Sequence, residues 1–315
     1  MQTKSWTMPG LLFLFLILSI VLSTAIGASG LSLLDLDPET IHMLLFDVRL
    51  PRVLAALLVG AGLAVAGAAM QGLFKNSMAD PYIIGTSSGG ALGASIAIVL
   101  FMGFALPVFA FIGATASTVL VYLISRRNGR VAVETLLLSG IAVSMFLSAL
   151  LSFIMFMSGK SLHQIMFWLM GGFWNISWGD VWVGALILPA CLVLFLFARD
   201  LNVISIGEED AVHLGVDVEK VKFALLLLSS FITGIAVSVA GSIGFIGLIV
   251  PHLMRILVGP DHRLLIPSAM MAGAALLMWA DTLVRILPTE IPVGIVTSFF
   301  GAPFFIYLLR SRTRA

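Results

Sequence analysis

Three arginines near the ends of apolar segments are the residues of this sequence best suited to binding chemistry. Arg49 and Arg52 flank Pro51, and Arg285 follows Asp281 by four residues. A guanidinium can anchor a helix end to lipid headgroups, or it can bind a carboxylate through two parallel hydrogen bonds. The residues alone leave both interpretations open. Side chains four residues apart share one face of a helix, so Asp281 and Arg285 are expected to form a local ion pair.

Patterns typical of enzymes are missing from the sequence. No G-x-x-x-x-G-K-[ST] phosphate-binding loop occurs, so the chain is not expected to hydrolyse ATP. The 5 histidines are scattered and form no H-E-x-x-H or comparable ligand pair, and therefore no metal site is predicted. No catalytic residue is assigned.

The composition predicts that most of the chain lies in a lipid bilayer. Hydrophobic residues make up 60% of the chain, charged residues only 10%, and the mean hydropathy is +1.12. A water-soluble domain could not bury so much apolar surface. We predict an all-α polytopic fold in one transmembrane domain over residues 1–315. Its ten predicted spans lie near residues 10–31, 51–73, 84–102, 105–125, 131–157, 181–198, 221–240, 244–259, 264–286 and 293–310. The first apolar run is long enough to span, so we expect an uncleaved helix rather than a signal peptide.

The distribution of Lys and Arg predicts that both termini are cytoplasmic. If the N-terminus is inside, only Arg49, Arg52, Lys160 and Arg285, of 17 Lys and Arg residues, fall at the outer ends. Cytoplasmic loops concentrate these cations, and the alternating placement also favours an even number of spans.

The longest inner connection, residues 199–222, is rich in acidic residues. It includes Glu208 and Glu209 on a side that should favour cations, and it is longer than a helix-to-helix link requires. Gly207 and Gly215 are expected to separate one or two short helices there. A solvated loop and a docking element for a cytoplasmic partner are equally consistent with this composition.

Glycines also mark a predicted break within the apolar region. Gly241, Gly244 and Gly247 recur every third residue before Pro251. A broken helix inside a membrane usually lines a cavity, because its freed backbone groups need polar partners. We therefore expect a break and an adjacent cavity here.

Several segments carry a resemblance that covers nearly the whole chain from the second span onward. They are RLPR at 49–52, VLAALLVGAGLAVAGAAMQGLFKNSMADPYIIG at 53–85, QIMFWLMGGF at 164–173, SIGEEDAVHLGV at 205–216, GSIGFIGLIVPHLMR at 241–255, GPDHRLLIP at 259–267, ADTLVR at 280–285 and IPVGIVTSFFGAPFFIYLL at 291–309. Together they strongly resemble the FecCD family of ABC-importer permeases, which take up ferric siderophores, haem and cobalamin.

The resemblance implies a set of partners and a location. Such permeases are ten-span subunits of the cytoplasmic (inner) membrane that work in pairs, as identical or related copies. Two cytoplasmic ATPase subunits bind ATP and Mg²⁺, and a soluble substrate-binding protein docks outside. This chain is accordingly expected to bind no cofactor of its own and no nucleic acid.

The resemblance also implies roles for particular residues. Arg49, Arg52 and Arg285 match the outer arginines that receive acidic residues of the binding protein. The acidic connection matches the segment seated on the ATPase, with coupling residues Ser205, Gly207, Glu208, Glu209, Leu214 and Gly215. The fifth span matches a helix that lines the path, with candidates Ser139, Ser144, Ser148, Met155 and Met157.

The cargo is the least constrained part of the prediction. A bulky metal chelate is expected, with a ferric siderophore as first choice and haem or cobalamin close behind. An ion-driven secondary transporter would need buried titratable residues beyond Asp281 and would work without an ATPase. A purely structural scaffold would give no uptake defect when deleted.

Overall fold

The computed structural model describes residues 3–27, 37–127, 130–287 and 289–312. Its helices are α1 Thr3–Ala25, α2 Pro38–Met43, α3 Leu50–Leu73, α4 Thr86–Phe101, α5 Leu106–Ser125, α6 Val133–Met157, α7 Leu162–Leu169, α8 Trp178–Ala185, α9 Ile187–Leu196, α10 Ala198–Ile206, α11 Glu208–His213, α12 Val218–Ala240, α13 Ile246–Val258, α14 His262–Ile286 and α15 Val293–Arg312. Short turns of other helix types cover Leu44–Arg49, Pro81–Ile84 and Gly159–Ser161. Within these ranges, the only strand pairing joins Arg126–Arg127 to Arg130–Val131, antiparallel. The fold is therefore helical, as predicted.

Each of the ten predicted spans contains a helix, but not every helix is long enough to cross a membrane. Across the described residues, 7 helical stretches have the length and apolar composition of a span. Three shorter apolar helices, Thr86–Phe101, Ile246–Val258 and Val293–Tyr307, fall at the other predicted spans. The first predicted span extends past Ala25, the end of α1, and part of it lies outside the described residues. Ten crossings and cytoplasmic termini stay predictions.

Helix α3 forms the centre of the molecule because its residues are small. It packs against α12, α13 and α14, and 89% of the most apolar window of its stretch is buried. A side chain at Gly67 would collide with the backbone oxygen of Gly247 in α13, and one at Gly60 would collide with that of Gly273 in α14. Glycine at these positions lets the helix backbones touch.

The two ends of α3 carry two different polar regions. A helix of 24 residues is about 36 Å long, close to the thickness of a bilayer. Arg52 lies in its first turn, and Leu73 at its last residue borders the acidic connection. These regions consequently lie on opposite sides of the molecule.

The predicted break is present between α12 and α13. Helix α12 ends at Ala240, and Gly241 takes a positive φ of 67°. Phe245 also has a positive φ, 70°, which is uncommon for a bulky residue, before α13 begins at Ile246. The break is held in place by the Tyr82 hydroxyl, which donates to the Ile243 oxygen at 3.2 Å.

Helices α1 and α6 are poorly covered by the rest of the chain. Only 11% of the α1 window and 17% of the α6 window are buried. The open apolar face of α6 includes Leu138, Met145 and Phe156. Such a face must contact lipid or another protein chain.

Candidate functional site

Two of the three arginines, Arg52 and Arg285, pair with one buried carboxylate. Arg52 in α3 donates from Nε to both oxygens of Asp281 at 3.0 Å, and from Nη2 to Oδ1 at 2.8 Å. Arg285, one helical turn after Asp281, places its Nε 3.1 Å from Asp281 Oδ2. The Asp281 side chain is fully buried. The expected pair between Asp281 and Arg285 is thus present, together with a second pair from another helix.

Arg49 and Arg285 also hold the end of the first helix. Arg49 Nη1 donates to the Ala25 oxygen at 2.8 Å, and Arg285 Nη2 donates to the Ser23 oxygen at 3.0 Å. The last carbonyl groups of a helix lack partners within it and carry partial negative charge. Two cations therefore supply hydrogen-bond donors to the carbonyl groups at the end of α1. The rest of this helix is mostly exposed.

Glu290 was not singled out by the sequence and completes this group of charges. It lies between α14 and α15, its Oε1 forms an ion pair with Arg52 Nη1, and its side chain is 39% exposed. Arg49, Arg52, Arg285, Asp281 and Glu290 are hereafter called the arginine cluster. In the sequence Glu290 follows Arg285 closely, which was a usable signal, but sequence alone did not place it beside Arg52.

Burial separates the arginine cluster from an ordinary membrane-surface anchor. Arg49, Arg52 and Arg285 are 6%, 8% and 5% exposed. Their guanidinium groups bind acceptors within the chain instead of extending to headgroups. Reversing their charge would place a second carboxylate beside Asp281 and would disturb folding as well as any docking. Docking of a partner at these arginines stays a prediction.

The acidic connection folds as expected into short helices separated by glycines. Helix α10 ends before Gly207, and α11 spans Glu208–His213. Gly215 follows with φ of 83°, a conformation that side-chain-bearing residues resist. Ser205 and Leu214 are exposed, with Leu214 at 65%. Residues 199–222, hereafter called the coupling region after the role predicted for them, place polar and apolar groups on one open surface.

The start of α12 is capped by an acidic residue of the same connection. Asp217 accepts from the Lys220 backbone nitrogen at 3.2 Å, and its Oδ2 lies 2.7 Å from Lys220 Nζ. These contacts with the Lys220 side chain and backbone keep the pKa of Asp217 below its usual value. The cap therefore stays ionised at neutral pH.

Lys222 is a buried cation that the sequence did not mark as functional. Its Nζ lies 2.8 Å from Glu208 Oε2 and 3.4 Å from Glu219 Oε1, and it donates to the Val131 oxygen at 3.1 Å. Glu219 in turn accepts from the Val131 nitrogen at 3.0 Å. Lys222 therefore ties α11, α12 and the segment before α6 together.

A groove of about 570 Å³ opens beside these contacts. Its lining includes Lys75 after α3, Glu134 in α6 and Glu209 in α11. The groove brings the end of α3, the start of α6 and the coupling region to one surface, which suits contact with a partner.

The five residues proposed for the path do not share one environment. Ser139 is buried, Ser144 and Met155 are half-buried, and Ser148 and Met157 are exposed. Ser144 faces inward, since a side chain added at Gly85 would lie 3.4 Å from its hydroxyl. Of the proposed serines, Ser148 alone lies on the open face of α6.

A second candidate for the path lies at the helix break. An open depression of about 630 Å³ is lined by Ser242 and Gly244 of the break, Met170, and Gly294 and Ser298 of α15. The cavity expected beside the glycine-rich break is therefore present. Sequence reasoning predicted the break but did not identify Ser298.

The described residues contain no group of three or more His, Cys, Asp or Glu placed to hold a metal ion. Cys191, the single cysteine of the chain, is buried in α9.

Comparisons with known proteins identify relatives over nearly the full length. A family model described as the FecCD transport family matches residues 11–311. The chain is 48% identical over 278 residues to the cobalamin import system permease protein BtuC of Halobacterium salinarum, covering 87% of this chain and 75% of that one. It is 42% identical over 325 residues to the hemin transport system permease protein HmuU of Yersinia pestis, covering 96% of both. A solved structure described as a metal-chelate type ABC transporter in an inward-facing conformation matches with a TM-score of 0.89 and 35% identity, over 97% of this chain and 99% of that one.

Proposed function

The chain belongs to the FecCD transport family, and from that membership we propose that it is the membrane-spanning permease subunit of an ATP-driven importer for a bulky metal chelate. One structural observation carries the proposal: α3 connects an arginine cluster at one end to the coupling region at the other. An importer driven from the cytoplasm needs a receiving surface outside, an engaging surface inside and a rigid connection between them.

This arrangement supports a set of partners. We propose a cytoplasmic (inner) membrane location, a second permease subunit beside the open face of α6 and the exposed Phe299 and Tyr307 of α15, and an extracytoplasmic binding protein at the arginine cluster. Two ATPase subunits would engage the coupling region and hold ATP and Mg²⁺. This chain would bind neither ATP nor a cofactor of its own.

Coupling would run from the cytoplasmic surface to the helix break. ATP-driven movement of an ATPase would displace α10 and α11, and Lys222 would transmit that displacement to α12. Helix α12 ends at the break, so its motion would change the depression lined by Ser242 and Ser298. Rigid helices with an irregular hinge suit this kind of transmission.

The cargo class is narrowed by the names of relatives. The two relatives described above are named for cobalamin and hemin, and neither is named for a siderophore. We therefore propose a metal-bearing tetrapyrrole, cobalamin or haem, ahead of the ferric siderophore favoured by sequence reasoning.

Uptake into proteoliposomes tests the proposed function. The permease, its ATPase and its binding protein would be reconstituted and offered cyanocobalamin, haemin or a ferric siderophore. We expect ATP-dependent accumulation of one tetrapyrrole and none without the ATPase. Accumulation driven by a proton or sodium gradient in the absence of ATP would contradict an ATP-driven importer.

Cysteine accessibility tests the path. Ser148→Cys and Ser298→Cys should react with a membrane-impermeant methanethiosulfonate during transport, whereas Ser268→Cys, fully buried in α14, should not. We expect at least a tenfold difference in rate, because burial raises a thiol pKa and each unit removes about tenfold of the reactive thiolate. The native Cys191 is buried and gives a low background.

A labelled path residue should also lose transport, since the added group narrows the path. If Ser298→Cys and Ser148→Cys are as unreactive as Ser268→Cys, their faces contact lipid or protein and do not line the path.

A further inference from the structure

The guanidinium of Arg52 faces a buried carboxylate on one edge and a partly exposed carboxylate on the other. Its Nε and Nη2 bind Asp281, which is fully buried, while its Nη1 contacts Glu290. The Arg52 side chain is 10% exposed, and that of Glu290 is 39% exposed. Glu290 therefore covers the outward edge of Arg52 and is itself open to solvent.

The other two arginines are bound by the end of the first helix and contact no exposed carboxylate in the described part of the chain. Arg285 Nη2 is engaged by the Ser23 backbone oxygen and by the hydroxyls of Ser23 and Thr282. Arg49 Nη1 binds the end of α1. With three cations and two carboxylates, the arginine cluster keeps one net positive charge, so it still attracts anions.

We propose that Glu290 is a resident carboxylate that occupies the docking position on Arg52 and is displaced by an acidic side chain of the binding protein. The inference rests on the docking role in the proposed function and identifies the position at which docking occurs. Exchange of one carboxylate for another keeps Arg52 Nη1 bound throughout, which avoids the cost of leaving a largely buried donor without an acceptor. The same exchange makes docking readily reversible, as delivery of cargo requires.

Removing the resident carboxylate should strengthen binding. Full-length permease in nanodiscs would be titrated at low salt with a fluorescein-labelled hexaglutamate peptide and, in a second series, with the importer's purified binding protein. We expect Glu290→Gln to bind both about fivefold more tightly, the scale of one partly exposed ion pair. High salt should remove the difference.

Glu39→Gln is the matched control. Glu39 is exposed in α2, at the same end of the molecule, and the described residues give it no ion pair. The Glu39→Gln substitution removes one negative charge, as Glu290→Gln does, and this variant should bind the peptide like the wild type. Equal peptide affinity in wild type and Glu290→Gln, or an equal gain in Glu39→Gln, would overturn the proposal.

The two series separate this inference from the docking role. If docking itself is absent, the binding protein associates with no variant, whereas the peptide still distinguishes Glu290→Gln from wild type. If Glu290 is not displaced, the binding protein associates equally with the wild type and with Glu290→Gln. Thermal unfolding of Glu290→Gln and Glu290→Ala would establish that the connection between α14 and α15 remains folded.

Discussion

Replacing Asp281 with Asn is expected to destabilise the permease more than any other single conservative change at the arginine cluster. The carboxylate is fully buried and neutralises Arg52 and Arg285 together. Its loss leaves buried guanidinium groups without sufficient counter-charge, which costs about 3–5 kcal/mol of unfolding free energy. Most of the protein should then fail to reach the membrane in folded form. Thermal unfolding of purified protein, together with the yield of folded monomer, measures the effect.

Two further variants isolate the cause. Asp47→Asn makes the same chemical change at an exposed position near the same end of the molecule, and it should shift stability by less than about 0.5 kcal/mol. Adding Arg52→Met to Asp281→Asn removes one of the two cations that Asp281 neutralised and should recover part of the loss. If Asp281→Asn unfolds at the wild-type temperature, the buried carboxylate does not hold the cluster together.

The helices could be predicted because their signal is local. A bilayer requires long apolar runs, and each predicted span contains a helix at the expected place. Gly215 was expected to separate short helices and Gly241 to mark a break, and glycine tolerates the positive φ values found at both positions. The shortness of α4 and α13 was not predicted, because apolar residues that follow the end of a helix cannot be told from apolar residues within it by sequence alone.

Whether a pairing within the site could be predicted depends on how far apart its residues lie along the chain. Asp281 and Arg285 lie one helical turn apart, so their pairing followed from the sequence. Arg52 pairs with the same carboxylate only because α3 packs against α14. The contact between Lys222 and the Val131 oxygen likewise requires two segments to meet in space. No local pattern encodes either meeting.

The path was the hardest feature to predict, for a physical reason. Lipid and the apolar surface of another subunit favour similar side chains. The residues on the open face of α6 therefore do not indicate which of the two they contact. The depression at the helix break depends on where α15 lies beside Ser242. The position of α15 follows from helix packing, not from the identity of its own residues.

Replacing Lys222 with Met is expected to separate ATP hydrolysis from transport. Lys222 is 5% exposed as a side chain and is the common partner of Glu208, Glu219 and the Val131 oxygen. Hydrogen bonds to a charged group contribute about 1.5–3 kcal/mol each. A loss of only about 1.4 kcal/mol in the coupling free energy lowers transport tenfold. Met fills a similar volume, so the helices should still pack while α11 moves without carrying α12.

Lys220→Met provides the matched control, since Lys220 is 85% exposed as a side chain and pairs with Asp217, outside the contacts of Lys222. In proteoliposomes containing the assembled importer, Lys222→Met should retain ATP hydrolysis and lose at least about tenfold in uptake, whereas Lys220→Met should retain both. Loss of the ATPase subunits from Lys222→Met would place Lys222 in assembly instead of transmission, and co-purification distinguishes these outcomes. Wild-type uptake by Lys222→Met would contradict a coupling role, because the only buried cation that joins α11 to α12 in the described part of the chain would then be dispensable.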